Sequence, residues 1–339
     1  MVVGTLMTQT RQDRVKTALF RGDALTLQNL AYSRLVRIVT EELLRADKEP
    51  RSPVGWPCDL TVEALGATRG ESEAQILAND TGVLAGLQEA TWFFTNFGAR
   101  VTPHSNDGES LEPGKAVLTV EGDSGLLLSL ERVALNVLQR MSGIATAARR
   151  MQDRVHRRAP QTHVVATRKT PWGLLDKRAA HLGGAGTHRL GLGDAILIKG
   201  NHLELFGVNE QDAVPLALRK AWKSRERATF IEVEVTGREG ALAAGRTFRE
   251  LRRGGDESYP CLVMLDNRAP GEVAGIITAL KDQGFWDDVL LEISGGISEA
   301  TLDAYAGCGA DALSTGALTH LCRALDLRCK LEAQVGKRA

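Results

Sequence analysis

Val289-Leu290-Leu291-Glu292-Ile293-Ser294-Gly295-Gly296-Ile297 is a short, mostly apolar run that stops on a serine and two glycines. That is the pattern of a buried strand opening into a turn. Working outward, similar runs occur at His163 to Thr167, Ala195 to Ile198, Phe230 to Val235, Cys261 to Leu265 and Ala312 to Ser314. Most are separated by roughly 20 to 30 residues with helical periodicity, the signature of repeated β-α units and a parallel sheet. The strand ends are polar: Arg168 and Lys169 follow the first, Lys199 the second, Asp266 the fourth, Ser294-Gly295-Gly296 the fifth and Ser314-Thr315-Gly316 the last, while the third carries Glu232 and Glu234. Active sites of parallel α/β barrels lie at the carboxyl ends of the strands, so these residues are expected around one mouth. Six strands in place of eight predict a barrel that is short or open.

The first half of the chain has a different rhythm. Leu27, Ala31, Leu35, Val39 and Leu43 recur every four positions, as a helix packed on one face requires, and Pro50, Pro53 and Pro57 mark the loop that ends it. A strand is expected at Ala74 to Ala78, a helix over Leu84 to Phe97, a strand at Ala116 to Val120 and a long helix from Leu126 to about Arg158. Arg149, Arg150, Arg154, Arg157 and Arg158 on that helix read as a solvated face. The expected divisions are residues 1–23, disordered; 24–145, an α/β sandwich domain with a leading helix; 146–325, an open parallel α/β barrel carrying the site; and 326–339, a tail.

Lysine plus arginine equals aspartate plus glutamate, 42 each, so no long-range field draws the 339-residue chain to nucleic acid or an anionic membrane. No apolar run is long enough to span a membrane, and the five scattered cysteines lack metal or redox spacing. A cytoplasmic protein is expected. Against that neutral background, Arg168, Lys169, Lys177, Arg178, Arg189 and Lys199 crowd between Thr167 and His202. Such a cluster repels itself unless a polyanion occupies it, because arginine grips carboxylate or phosphate in a fork and lysine acts as a point charge. The Ser-Gly-Gly and Ser-Thr-Gly turns, each before a helical stretch, are candidate phosphate loops. Glu232 and Glu234 share one strand face, and with Asp266 they form an acidic half suited to ribose hydroxyls and to Mg²⁺ through water. For Glu232 an ion pair inside the barrel is an equal reading. His181 and His202 read as structural.

These residues resemble the quinolinate phosphoribosyltransferase family, also called carboxylating nicotinate-nucleotide pyrophosphorylase. The resemblance is carried by Cys58 to Thr61, Gly82 to Gly86, Glu131 to Thr146, Thr167-Arg168-Lys169-Thr170, His188-Arg189 and Gly316 to His320. It implies conversion of quinolinate and 5-phosphoribosyl 1-pyrophosphate (PRPP) to nicotinate mononucleotide, pyrophosphate and CO₂, with Mg²⁺ and no organic cofactor. It implies a homodimer or higher homo-oligomer with a shared site, in which Arg132 reaches the acceptor across the interface. By the same resemblance Arg168, His188 and Arg189 bind the acceptor. Lys169 and Lys199 serve substrate and pyrophosphate, and Glu234 and Asp266 hold ribose and Mg²⁺. Ser294, Gly295, Gly296, Ser314 and Gly316 form the phosphate loops. The segment Thr170-Pro171-Trp172-Gly173-Leu174-Leu175 departs from the family pattern and lacks one of its arginines.

Overall fold

The computed structural model describes residues 9–49, 58–66, 70–253 and 258–333. The chain divides into two compact units, one of residues 23–149, 171–184 and 321–339 and the other of residues 1–22, 150–170 and 185–320. The strands are β1 (Glu71–Ala78), β2 (Gly82–Val83), β3 (Arg100–Pro103), β4 (Ser110–Leu111), β5 (Ala116–Asp123), β6 (His163–Ala166), β7 (Ile196–Ile198), β8 (Ile231–Val235), β9 (Cys261–Asp266), β10 (Leu290–Ser294), β11 (Ala312–Thr315) and β12 (Leu327–Ala333).

The first unit is built on an antiparallel sheet in the order β12-β1-β5-β3. Alternation along β1 buries Ser72, Ala74 and Ile76 while Glu73 and Gln75 are partly exposed, so one sheet face is apolar. Phe93 and Phe94 from the helix Leu87–Asn96, and Leu130 and Leu138 from the helix Ser124–His156, belong to the same core as Ile76, Leu118 and Val120. Each such side chain contributes roughly 1.5–3 kcal/mol of burial. The helix Leu87–Asn96 starts at Gly86 with φ 96°, so its own cap residue offers no side chain. Asp107 supplies the missing acceptor instead, taking the Leu87 and Gln88 amide hydrogens at 3.0 and 3.5 Å.

This unit also corrects the expected boundaries. Residues 326–339 were expected to be a tail, yet β12 pairs with β1 along seven positions, from Ser72 opposite Ala333 to Ala78 opposite Leu327. Residues 171–184, expected inside the barrel, belong to this unit; their helix Leu174–Leu182 ends at Gly183, where a Cβ would lie 2.2 Å from the Ala145 carbonyl. Only glycine permits that approach. The leading helix runs from Leu30 to Lys48 with one π turn at Ile38–Glu42, and Asn29 caps its start. The proline loop after it lies almost wholly outside the described residues.

The second unit is a six-stranded parallel sheet in the order β6-β11-β10-β9-β8-β7. The predicted strands agree with it to within about a residue. Residues 1–23 were expected to be disordered, but Arg11–Leu19 is a helix closed by a reciprocal cap between Thr10 and Asp13. Its Val15, Ala18 and Leu19 are fully buried with Val165, Ala195, Phe230, Leu262, Leu290 and Ala312. Three apolar residues are too few to announce a helix in the sequence. Their partners lie more than a hundred residues away, so the burial is a tertiary effect. On the face read as solvated, Arg150 and Arg158 are exposed and Arg154 is half-buried, and they pair with Glu299 and Asp303.

Candidate active site

The carboxyl ends of the parallel strands open on a cavity of about 530 Å³. It is lined by Thr167, Arg168 and Lys169 after β6, by Leu197 and Lys199 to Asn201 at β7, and by Glu234 on β8. Met264 and Asp266 on β9, Glu292 and Ser294 on β10 and Ser314 on β11 complete it, with His188 and Arg189 from the loop before β7. In-register pairing makes this gathering automatic. Ser294 stands beside Asp266 and Glu234 beside Met264, so polar residues at equivalent strand ends meet although some 30 positions separate each pair in the chain.

Local contacts fix the backbone of these residues and leave most of their charged ends open. The Lys169 carbonyl accepts the Thr319 hydroxyl at 2.6 Å, and the Lys169 amide donates to Thr167 Oγ1 at 3.2 Å. The Lys199 amide donates to His202 Nδ1 at 2.8 Å, a structural role for that histidine, as expected. Glu234 Oε1 lies 3.5 Å from the Gly200 amide, while Asp266 Oδ2 accepts from Asn267 Nδ2 at 2.8 Å. Gly295, with φ 87°, has a hypothetical Cβ 2.3 Å from Asn267 Oδ1, which explains the glycine there. Among the described residues, Arg168, Lys169, Arg189 and Lys199 form no ion pair. Burial first, and then Arg168, pull the Arg189 guanidinium below the usual arginine range. Four unneutralised cations therefore share one cavity with two partly exposed carboxylates, Glu234 and Asp266.

Beneath them lies a buried trio. His188 Nε2 is 3.0 Å from Glu232 and 3.1 Å from Glu292, and all three side chains are nearly inaccessible. Burial opposes charge on the imidazole, while Glu292 and then Glu232 favour it. Burial and Glu292 push Glu232 up to about 7. The donor atoms lie within 4.8 Å of one another and could by distance hold a divalent cation. Yet His188 Nδ1 accepts the Arg189 amide hydrogen at 2.7 Å, so the ring proton belongs on Nε2, between the carboxylates. A protonated nitrogen is no ligand, and the geometry fits better an imidazole N–H edge held in close charge contact with two carboxylates. Glu232 faces His188 and is absent from the cavity lining.

The other sequence expectations divide cleanly. Lys169, Lys199, Glu234, Asp266, Arg168, His188, Arg189, Ser294 and Ser314 all line the cavity. Gly295, Gly296 and Gly316 sit in the adjoining turns and are not lining residues. Arg132 is exposed on the helix Ser124–His156, in the other unit, and does not line it. Lys177 and Arg178, counted in the cationic cluster, also belong to the other unit; there Arg178 pairs with Glu89 and Asp107 at 3.1 Å each. Sequence reasoning missed Glu292, whose signal was a carboxylate inside an apolar strand, the same signal that had drawn attention to Glu232.

Two family profiles match the chain: the quinolinate phosphoribosyl transferase N-terminal domain over residues 59–142 and the C-terminal domain over residues 144–330. The chain belongs to the quinolinate phosphoribosyltransferase family. It is 34% identical over 298 residues to a probable carboxylating nicotinate-nucleotide pyrophosphorylase of Methanothermobacter thermautotrophicus, covering 86% of this chain and 98% of that one. It is 35% identical over 277 residues to the human carboxylating nicotinate-nucleotide pyrophosphorylase, covering 81% and 87%. The crystal structure of NadC from Streptococcus pyogenes superposes with a TM-score of 0.73 at 29% identity, covering 91% of this chain and 98% of that chain. As a member of this family, the chain carries the matched C-terminal domain over the region that holds the entire cavity, from Thr167 to Ser314.

Proposed function

We propose that this chain is a carboxylating nicotinate-nucleotide pyrophosphorylase: it condenses quinolinate with PRPP to give nicotinate mononucleotide, pyrophosphate and CO₂ in NAD biosynthesis. The observation that carries the assignment is the set of four unpaired cations around one cavity beside two carboxylates. Quinolinate and PRPP are both polyanions, and a neutral chain holds such a cluster open most readily for polyanionic ligands.

Arg168 and Arg189 grip the two carboxylates of the acceptor, with His188 beside them, and aim the ring nitrogen at C1 of the donor. That gain comes from orientation and not from proton transfer. Lys169 and Lys199 stabilise the negative charge that grows on pyrophosphate as the C1–O bond breaks, and Ser294, Ser314 and the turns at Gly295, Gly296 and Gly316 receive the phosphates. Glu234 and Asp266 offset the positive charge on the ribose ring. Their partly exposed oxygens are a hard donor set that suits Mg²⁺ through water, and the ion would add charge neutralisation at the pyrophosphate. The nitrogen then bears positive charge, the adjacent C2–carboxylate bond gives its electron pair to the ring, CO₂ leaves and C2 takes a proton. No organic cofactor is needed for these steps.

The same reading takes the parallel sheet as an open α/β barrel and the working enzyme as a homodimer or higher homo-oligomer with a shared site. Arg132, exposed and distant in sequence from the cavity residues, would serve the second copy's acceptor. The direct test mixes the folded protein with PRPP, Mg²⁺ and quinolinate and follows nicotinate mononucleotide and pyrophosphate. Formation of neither product would overturn the assignment.

A further inference from the structure

His188 carries a positive φ of 52°. For a residue with a side chain this conformation is uncommon and persists only where the surroundings enforce it. Here they enforce it from several sides. The His188 amide donates to the Leu19 carbonyl at 3.0 Å, and the ring packs edge-on against Phe230 with centroids 5.3 Å apart. On its far edge Nε2 faces Glu232 and Glu292, and on its near edge Nδ1 takes the Arg189 amide hydrogen. The imidazole thus bridges two buried carboxylates and the backbone of the cation that faces the cavity.

The carboxylates have no other employment. Apart from the close approach of His188 Nε2, neither Glu232 nor Glu292 meets a hydrogen-bonding partner among the described residues, although both are fully buried. Two buried carboxylates on β8 and β10, with β9 between them and one imidazole shared, are a poor way to stabilise a fold; apolar replacements of such groups are often neutral or stabilising. Strain at His188 and two costly acids converge on one object, the orientation of the His188–Arg189 peptide.

We propose that Glu232 and Glu292 are positioning residues that act through His188 to hold Arg189 in the orientation that receives the acceptor's carboxylate. The proposal rests on the reading that Arg189 grips the pyridine acid. Each link is a single contact: carboxylates fix the Nε2 edge, the ring plane follows, Nδ1 fixes the Arg189 amide, and the guanidinium is aimed from there. Neither glutamate touches the phosphoribosyl donor's lysines, so the effect is confined to the acceptor.

The test is Glu292→Gln, with quinolinate binding measured by calorimetry, steady-state kinetics for both substrates, and thermal unfolding. The expected result is a KM and Kd for quinolinate at least tenfold higher, a KM for PRPP within twofold of the parent, and a melting temperature equal or higher. A purely structural role would instead lower the melting temperature and disturb both substrates alike. In an Arg189→Lys background, Glu292→Gln should then cost no more than twofold, because the group it positions is already gone. Unchanged quinolinate binding in the single variant, or a full tenfold loss in the Arg189→Lys background, overturns the proposal while leaving the proposed activity intact. A parent protein that binds no quinolinate takes both down together.

Discussion

Replacing Arg178 with methionine should cost the unit that contains it a large part of its stability, and the structure sets the size. Arg178 is about nine-tenths buried; its Nε lies 3.1 Å from Glu89, its Nη2 3.1 Å from Asp107, and its Nη1 donates to the Leu25 carbonyl at 3.0 Å. Glu89 is wholly inaccessible and would keep only the Tyr32 hydroxyl at 2.7 Å and Gln88 Nε2 at 3.3 Å. Removing one partner of a buried charge pair costs about 3–5 kcal/mol, since the other charge stays buried without compensation. Burial and then Asp107 already raise the Glu89 pKa, with Arg178 and Tyr32 opposing. Without the arginine Glu89 should bind a proton, so the deficit should shrink as pH falls toward 5. The sign follows from linkage: a carboxyl with a raised folded pKa favours the folded state in its protonated form. Urea unfolding at pH 5 and pH 8 measures the global term, and hydrogen exchange of the helix Leu87–Asn96, whose first amides depend on Asp107, reads the local one. The double variant Arg178→Met with Glu89→Gln should recover most of the loss. A single-variant cost below about 1 kcal/mol, or one equal at both pH values, refutes the account of Glu89 as a charge held in place by Arg178.

Arg168→Lys keeps a positive charge but loses the fork, so quinolinate affinity should fall by about 10- to 100-fold with PRPP affinity unchanged; equal binding in calorimetry would remove Arg168 from the acceptor site. Asp266→Asn should weaken Mg²⁺-dependent PRPP binding at least tenfold and spare quinolinate, and a variant whose PRPP affinity responds to Mg²⁺ as the parent's does would argue against Asp266 as a metal partner.

The parallel sheet was legible because each of its strands is a short apolar run ending in something polar, and because register then carries Ser294 to Asp266 and Glu234 to Met264 without further information. What was not legible depends on partners remote in sequence. Cys329 and Leu331 on β12 read as part of a mixed, charged tail until β1 is beside them, and Val15, Ala18 and Leu19 acquire meaning only from strand residues such as Phe230 and Leu290. Arg178 misled for a related reason. It lies between Arg168 and Arg189 in the chain, but residues 171–184 fold into the other unit, so nearness in sequence joined cations that the fold separates.

That separation also sharpens the argument for the site. Arg178 is paired with Glu89 and Asp107, Arg140 with both oxygens of Asp176 at 2.9 and 2.8 Å, and Arg11 with both oxygens of Asp311 at 2.7 and 2.6 Å. With lysine plus arginine equal to aspartate plus glutamate, the chain has acids enough to do the same elsewhere. At the cavity it does not: Glu232 and Glu292 turn to His188, and Arg168, Lys169, Arg189 and Lys199 are left without a carboxylate. Had those two glutamates paired with the cations, the mouth would be neutral and its attraction for a dicarboxylate and a pyrophosphate ester much weaker. Spending a histidine to keep two acids away from four bases is therefore the feature that separates a binding site from one more buried ion pair.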